Sequence, residues 1–440
     1  MLKLPKTMMA VGMAFVMFVT TGCGGSGASS SAATSGGAPE STPESAPAEA
    51  QDTAQNATGG DAIEVEIWEY FPDNEHEYFT NMMEAWGEKN GYKFNIVQYP
   101  YADLNKQYTL GLASGELPDI AMINNCDNES FVDMGLLQDI TAQIEEAGLK
   151  DKFYESSMNT TTIDGKIYGL PYNSNDLALF YDIDQFEAAG IDAENLKTWD
   201  DLEEAAGKLT SGNTYGFSMS LIGTDEATFQ FFPFLYSSGA DMYSMGSDEA
   251  IEAMQFLKDL YDDGFMSSEV INQGQMDINE QFVQGNVAMM VNGPWEIPII
   301  KEEAPDKNWS VMPIPIKEQQ ASALGGEGFS IVSGADVDKI WPVMAYMFEK
   351  ETLADWCYAM GKIPSRSDAV DCYPGWSEDP LMQVFFGQFE YAATLGPDAK
   401  WPEISKHIYS ACQAAMTGQK SVEDACKEAQ TKIDELVASK

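Results

Sequence analysis

Trp295 sits in the setting that points most directly to binding chemistry. It follows a short apolar run, Val287 to Val291, that reads as a buried strand and stops at the strong turn signal Asn292-Gly293-Pro294. A strand that ends in a turn and delivers an indole places a flat apolar face at the mouth of a cleft. Such a face stacks on a sugar ring, whose axial C–H bonds present an apolar side. The alternative makes Trp295 a core side chain beside a loop. Glu296 comes next, and its carboxylate could be solvated at a rim, meet a sugar hydroxyl or pair with a cation. Other reactive patterns are missing. The two histidines, His76 and His407, have no partner at metal-ligand spacing, the six cysteines contain no C-x-x-C, and no nucleophile elbow, EF-hand loop or P-loop occurs. No catalytic residue, metal or cofactor is expected. With 70 acids in the chain, paired carboxylates are everywhere. A glycoside hydrolase with two acids in an aromatic cleft is therefore the alternative of a different class, beside a membrane-tethered sensor.

The elements that position such a site can be read from the N-terminus. Lys3 and Lys6 precede an apolar core, Met8 to Val19, too short to span a bilayer, and Val19-Thr20-Thr21-Gly22-Cys23 closes it. Residues 24–60 are rich in Ser, Ala, Gly, Pro, Glu and Thr and read as a disordered tether. From residue 61 strands and helices alternate: a strand from Ile63, a helix from His76 to Lys89, a strand Phe94–Tyr99, a helix Ala102–Ala113, a strand Pro118–Ile123. This spacing means an open α/β sheet, in which ligands sit beyond the carboxyl ends of strands. Those ends carry Trp68, Glu69, Tyr70, Asn124, Asn125 and Asp127, and a later hairpin arm ends at Asn173-Ser174-Asn175-Asp176. Thr198 reads as an N-cap ahead of Asp200 and Asp201, and Ser421 with Asp424 as a capping pair. Leu381 to Leu395 and Trp401 to Lys440 read as helices. Leu324 to Val332 is glycine-rich and contains Glu327, which suits a crossover turn or a close backbone approach to a ligand. The formal net charge of −46, with a single arginine at Arg366, excludes nucleic acid and nearly excludes arginine clamps on phosphate or carboxylate.

Five stretches in this order resemble the solute-binding proteins of ABC importers, the maltose-binding-like sugar-binding group: Leu117-Pro118-Asp119-Ile120, Gly135-Leu136-Leu137, Gly169-Leu170-Pro171-Tyr172, Thr198-Trp199-Asp200-Asp201-Leu202, and Gly285 to Trp295. The start resembles a bacterial lipoprotein signal, with Thr20 where Leu is commonest and Cys23 as the lipidated residue. The resemblance implies an α/β, two-lobe periplasmic-binding-protein-like fold, each lobe a mostly parallel sheet flanked by helices, with a hinge between. Its expected parts are 1–23 signal, 24–60 tether, 61–173 and 321–368 first lobe, 174–320 and 369–440 second lobe. It implies a lipid-anchored monomer on the outer face of the cell membrane that captures a carbohydrate, an oligosaccharide above all, and hands it to permease subunits. A polyamine or other cationic solute is the alternative ligand. Trp295, Tyr70, Asn124, Asp127, Asn175, Phe229 and Glu327 are the candidate ligand contacts, Phe229 by resemblance alone. Pro118 and Asp119 are assigned to the fold because they open a strand. The five cysteines besides Cys23 read as buried free thiols, with a Cys412–Cys426 bridge as the alternative.

Overall fold

The computed structural model describes residues 62–395 and 398–438, so the signal segment, Cys23 and the tether to residue 60 lie outside the described residues. The first strand, Ile63–Glu69, buries Val65, Ile67, Trp68 and Glu69 and pairs in parallel with Tyr92–Gln98 along its whole length. On its other side it meets Ile120–Asn124, also in parallel. The helices Asp73–Asn90 and Tyr101–Ser114 make the two crossovers. The sheet is completed from far along the chain: Glu327–Ile331 runs antiparallel to Ile120–Asn124, and Leu170–Pro171 takes the next place.

The core of this lobe explains why the chain returns to it. Phe71, Phe79, Tyr172, Phe329 and Trp356 form one aromatic cluster, with the Trp356 ring 3.9 Å from Tyr172 and 4.9 Å from Phe79. Burying five rings from separated segments makes the lobe a single unit although its sequence is interrupted.

In the second lobe Ala178–Asp182 lies between Met289–Asn292 and Trp309–Met312, antiparallel to both. Sequence suggests a mostly parallel sheet here too. Among the described residues parallel pairing in this lobe is confined to the isolated bridges Thr198–Ile316, Tyr215–Val287 and Ser218–Met290, because each long excursion returns against the direction of the central strand. The flanking helix Trp199–Leu209 starts with the expected cap. Thr198 Oγ1 accepts the Asp201 N–H at 3.3 Å and Asp201 Oδ2 accepts the Thr198 N–H at 2.8 Å, a box worth about 1 kcal/mol. Ser421 Oγ likewise accepts the Asp424 N–H at 3.1 Å.

The chain passes between lobes through Asn173–Asp176, where Asn175 bridges Gly325, and through Ser322–Leu324, which pairs in parallel with Ala392–Thr394. That last strand corrects the expected helix over Leu381–Leu395. The helix Pro380–Gln388 stops because Gln388 turns inward, donating from Nε2 to the Leu177 carbonyl at 3.0 Å, and the following residues join the crossing. Residues up to Glu378 pack on the first lobe, with the Trp376 ring 5.3 Å from Tyr358 and 5.6 Å from Tyr373. Asp379 then meets Lys301 of the second lobe at 3.1 Å. The change of packing there comes near residue 379. Cys126, Cys357, Cys372, Cys412 and Cys426 are free thiols. Among the described residues no helix is long and apolar enough to cross a membrane.

Candidate functional site

A cleft of about 530 Å³ opens between the lobes. Tyr70 reaches it from just past the strand Ile63–Glu69, and Asn124 from the last position of Ile120–Asn124, as the strand-end rule requires. The other strand-end residues turn away. Glu69 is fully buried and accepts the Phe71 N–H, and the Trp68 ring packs 5.8 Å from Tyr108. Tyr101 stands edge-on to Tyr70 at 5.0 Å, and its hydroxyl accepts from Asn124 Nδ2 at 3.3 Å. Glu327 opens its strand and accepts from Asn173 Nδ2 at 2.6 Å. The crossing beside it needs glycine at 326: φ is +142°, and a Cβ would stand 2.3 Å from the Asn173 carbonyl oxygen.

From the second lobe, the helix Asp225–Ser237 brings Asp225, Glu226 and Phe229 to the cleft in its first turn. The Phe229 ring lies against Gly325, where a Cβ would meet it at 2.9 Å. Trp295 caps the helix Glu296–Glu303 and faces the cleft half-buried. Its indole folds back over Gly293, where a Cβ would stand 2.0 Å from the ring.

Six of the seven candidate contacts, Trp295, Tyr70, Asn124, Asn175, Phe229 and Glu327, thus line one cleft. Asp127 does not. It lies behind the wall in the short turn Asn125–Asp127, where it is 2% exposed and accepts from Asn105 Nδ2 at 2.7 Å. The turn directs Cys126 toward the cleft and Asp127 inward. Burial, and the like charge of Asp225, push the Asp127 carboxyl up to about 7. Asp225 is raised in turn by burial, against a hydrogen bond from Ser405. Glu296 is not at a rim: it is fully buried and accepts from Trp295 Nε1 at 3.0 Å.

Sequence reading missed Tyr101, Asp225, Glu226, Gln275, Lys362 and Trp401 on the lining. Tyr101 could have been found, since it follows the second strand as Tyr70 follows the first. The others are brought in by tertiary packing and carry no local signal. Lys362, the one cation on the lining among the described residues, is 7% exposed. Its Nζ lies 2.8 Å from Glu75 and 4.0 Å from Glu327, and over the faces of Phe71 and Tyr172. Glu75 also accepts from Tyr172 at 2.8 Å and Trp356 at 3.1 Å, so a buried carboxylate meets three donors.

Chemically the cleft offers rings at several angles, amides and carboxylates. The Tyr70 hydroxyl, the Asn175 side-chain carbonyl and the Gln275 amide nitrogen are buried atoms with no hydrogen-bond partner among the described residues. Rings set among amide and carboxylate side chains suit a polyhydroxylated ligand with apolar faces.

A family model described as bacterial extracellular solute-binding protein matches residues 81–384. An arabinooligosaccharide-binding protein of Halalkalibacterium halodurans is 27% identical over 372 residues, 79% of this chain and 82% of its own length. A lactose-binding protein of Rhizobium radiobacter is 25% identical over 317 residues, 67% of this chain and 72% of its own. An ABC transporter solute-binding protein of Thermotoga lettingae, bound with alpha-D-tagatose, superposes with a TM-score of 0.80 at 25% identity, covering 85% of this chain and 99% of that one. A maltose-bound T. maritima protein has the same fold, with a TM-score of 0.79 at 23% identity over 85% of this chain and 100% of that one.

Proposed function

This chain belongs to the family of bacterial extracellular solute-binding proteins, and from that membership we propose that it captures a neutral oligosaccharide between its lobes and delivers it to the permease of an ABC importer. The observation that carries the ligand class is the Trp295 indole, presented to a cleft whose opposite wall holds Tyr70, Tyr101 and Asn124. The relatives named for arabinooligosaccharide and lactose binding support the same class. The lining carries Asp73, Glu75, Asp225, Glu226 and Glu327 against Lys362 alone, which disfavours uronic acids and sugar phosphates. That acidic lining also favours a second reading, an amine-bearing solute held by Trp295 and a carboxylate.

The protein acts as a monomer, anchored through Cys23 at the outer face of the membrane, and carries out no covalent chemistry. Within the cleft, Glu75 and Glu327 are engaged by Lys362, which supports binding over acid–base work. Fluorescence titration with maltotriose, arabinotriose, spermidine and galacturonate separates the ligand classes. Saturation by a neutral saccharide alone is the expected result, and saturation by spermidine alone would replace the sugar with an amine. Hydrolysis of an aryl glycoside by the pure protein would overturn the non-enzymatic reading.

A further inference from the structure

Behind Trp295 lies a connected set of hydrogen bonds whose central members, Glu296 and Asn292, are buried and off the cleft lining. The indole Nε1 donates to Glu296 Oε1 at 3.0 Å. Glu296 has no exposed surface and is not part of the cleft lining. Asn292, equally buried, accepts the Gly293 N–H at 2.9 Å and donates to the Gln275 carbonyl at 3.1 Å, and the Gln275 N–H is given to Glu226. The turn that carries the indole is therefore held on both sides.

We propose that Glu296 is a positioning residue for ligand recognition: its Oε1 fixes the plane of the Trp295 indole. The proposal rests on the reading of Trp295 as the stacking platform. A carboxylate without exposed surface is costly unless several donors or a cation meet it. Here the indole N–H meets Oε1, the Asn292 side chain interacts more weakly, and Oε2 has no partner of normal hydrogen-bond geometry among the described residues. The helix Asp225–Ser237 contributes Glu226, and Glu303 stands at the far end of the helix that Glu296 begins. Both are acids. The packed helix Gln275–Val283 adds Asp277 and Glu280, both exposed. The nearby cations are engaged elsewhere, Lys301 with Asp379, and Lys362, next to the Gly361 that abuts Pro294 and Pro298, with Glu75. Burial first, opposed by hydrogen bonds from Trp295 and Asn292 and reinforced by Glu226 and Glu303, carries the Glu296 carboxyl up to about 8. Above that pH a charge appears in a buried site beside another acid, and the indole hydrogen bond becomes charge-assisted, so the surroundings of the Trp295 ring change as Glu296 ionises.

The test uses the full chain labelled with 5-fluorotryptophan, with the Trp295 resonance identified by its loss in Trp295→Phe. In the unsubstituted protein this resonance should move with a midpoint near about pH 8. In Glu296→Gln, which keeps an acceptor oxygen, it should stay fixed, and in Glu296→Leu it should be displaced and broadened throughout. Affinity for maltotriose or arabinotriose should fall at least about fivefold in Glu296→Leu, and less than about twofold in Glu296→Gln. A Trp295 resonance that does not titrate over this range, or that is unchanged in Glu296→Leu, would overturn the proposal. The fluorine experiment needs no ligand and decides this alone. If Trp295→Ala binds the saccharide as well as the unsubstituted protein while the fluorine titration persists, the stacking reading fails and the Glu296–Trp295 linkage stands.

Discussion

A methyl group at position 293 would stand 2.0 Å from the Trp295 ring, closer than carbon atoms can approach. Gly293→Ala should therefore tilt the indole out of its plane and weaken oligosaccharide binding by about tenfold, measured by calorimetric titration. Affinity unchanged by Gly293→Ala would mean that the ring plane does not matter. At this scale the sequence was informative wherever the signal is local. Trp295 could be read because strand, turn and ring are contiguous, and Tyr70 and Asn124 because a strand end fixes where they point. Asp127 misled because a single turn of 3-10 helix intervenes between the strand end and its side chain, and sends it inward. The burial of Glu296 was not legible either, since its neighbours Asn292, Gln275 and Glu226 come from three separate segments.

At the scale of elements, the turn Asn125–Asp127 of the first lobe packs against the helix Trp401–Met416 of the second, and places Asp127 near Asp225. Both carboxyls are raised above their ordinary range, Asp127 to about 7. The sign follows from linkage. Stability from Asp127 is full below its unfolded value of about 3.9 and is lost as pH rises through about 7. Asp225→Asn should thus raise the melting temperature at pH 8 more than at pH 5. An equal shift at both values would show that the two acids do not interact. A second element-scale test concerns Lys362, which ties a later segment of the first lobe to Glu75 on the helix Asp73–Asn90. Lys362→Met leaves a buried carboxylate without its cation and should cost roughly 3–5 kcal/mol in urea unfolding. A loss under about 1 kcal/mol would mean that Tyr172 and Trp356 satisfy Glu75 unaided. Capping and strand–helix alternation were readable because they depend on residues a few positions apart. The end of the helix Pro380–Gln388 was not, because the pull on Gln388 comes from Leu177, far back in the chain.

At the scale of the whole molecule, two lobes built from interrupted segments share crossings at Asn173–Asp176, Ser322–Leu324 and near residue 379. Movement about a few backbone angles there closes such a cleft over a solute. The order of five short stretches made the architecture legible, since topology constrains the spacing of turns and strand ends more tightly than it constrains side chains. The ligand class was less legible, because it depends on which groups from both lobes converge. Small-angle scattering should record a smaller radius of gyration when saccharide is added, and no change on addition would argue against closure. The most direct test is calorimetric titration of a neutral trisaccharide, maltotriose or arabinotriose, into the unsubstituted protein and into Trp295→Ala. One molecule bound per chain, with a loss of more than about tenfold in the variant, an indole stack of ~1–2 kcal/mol, is the predicted result. Equal affinity in the two proteins, or heat from spermidine and none from any neutral saccharide, would contradict it.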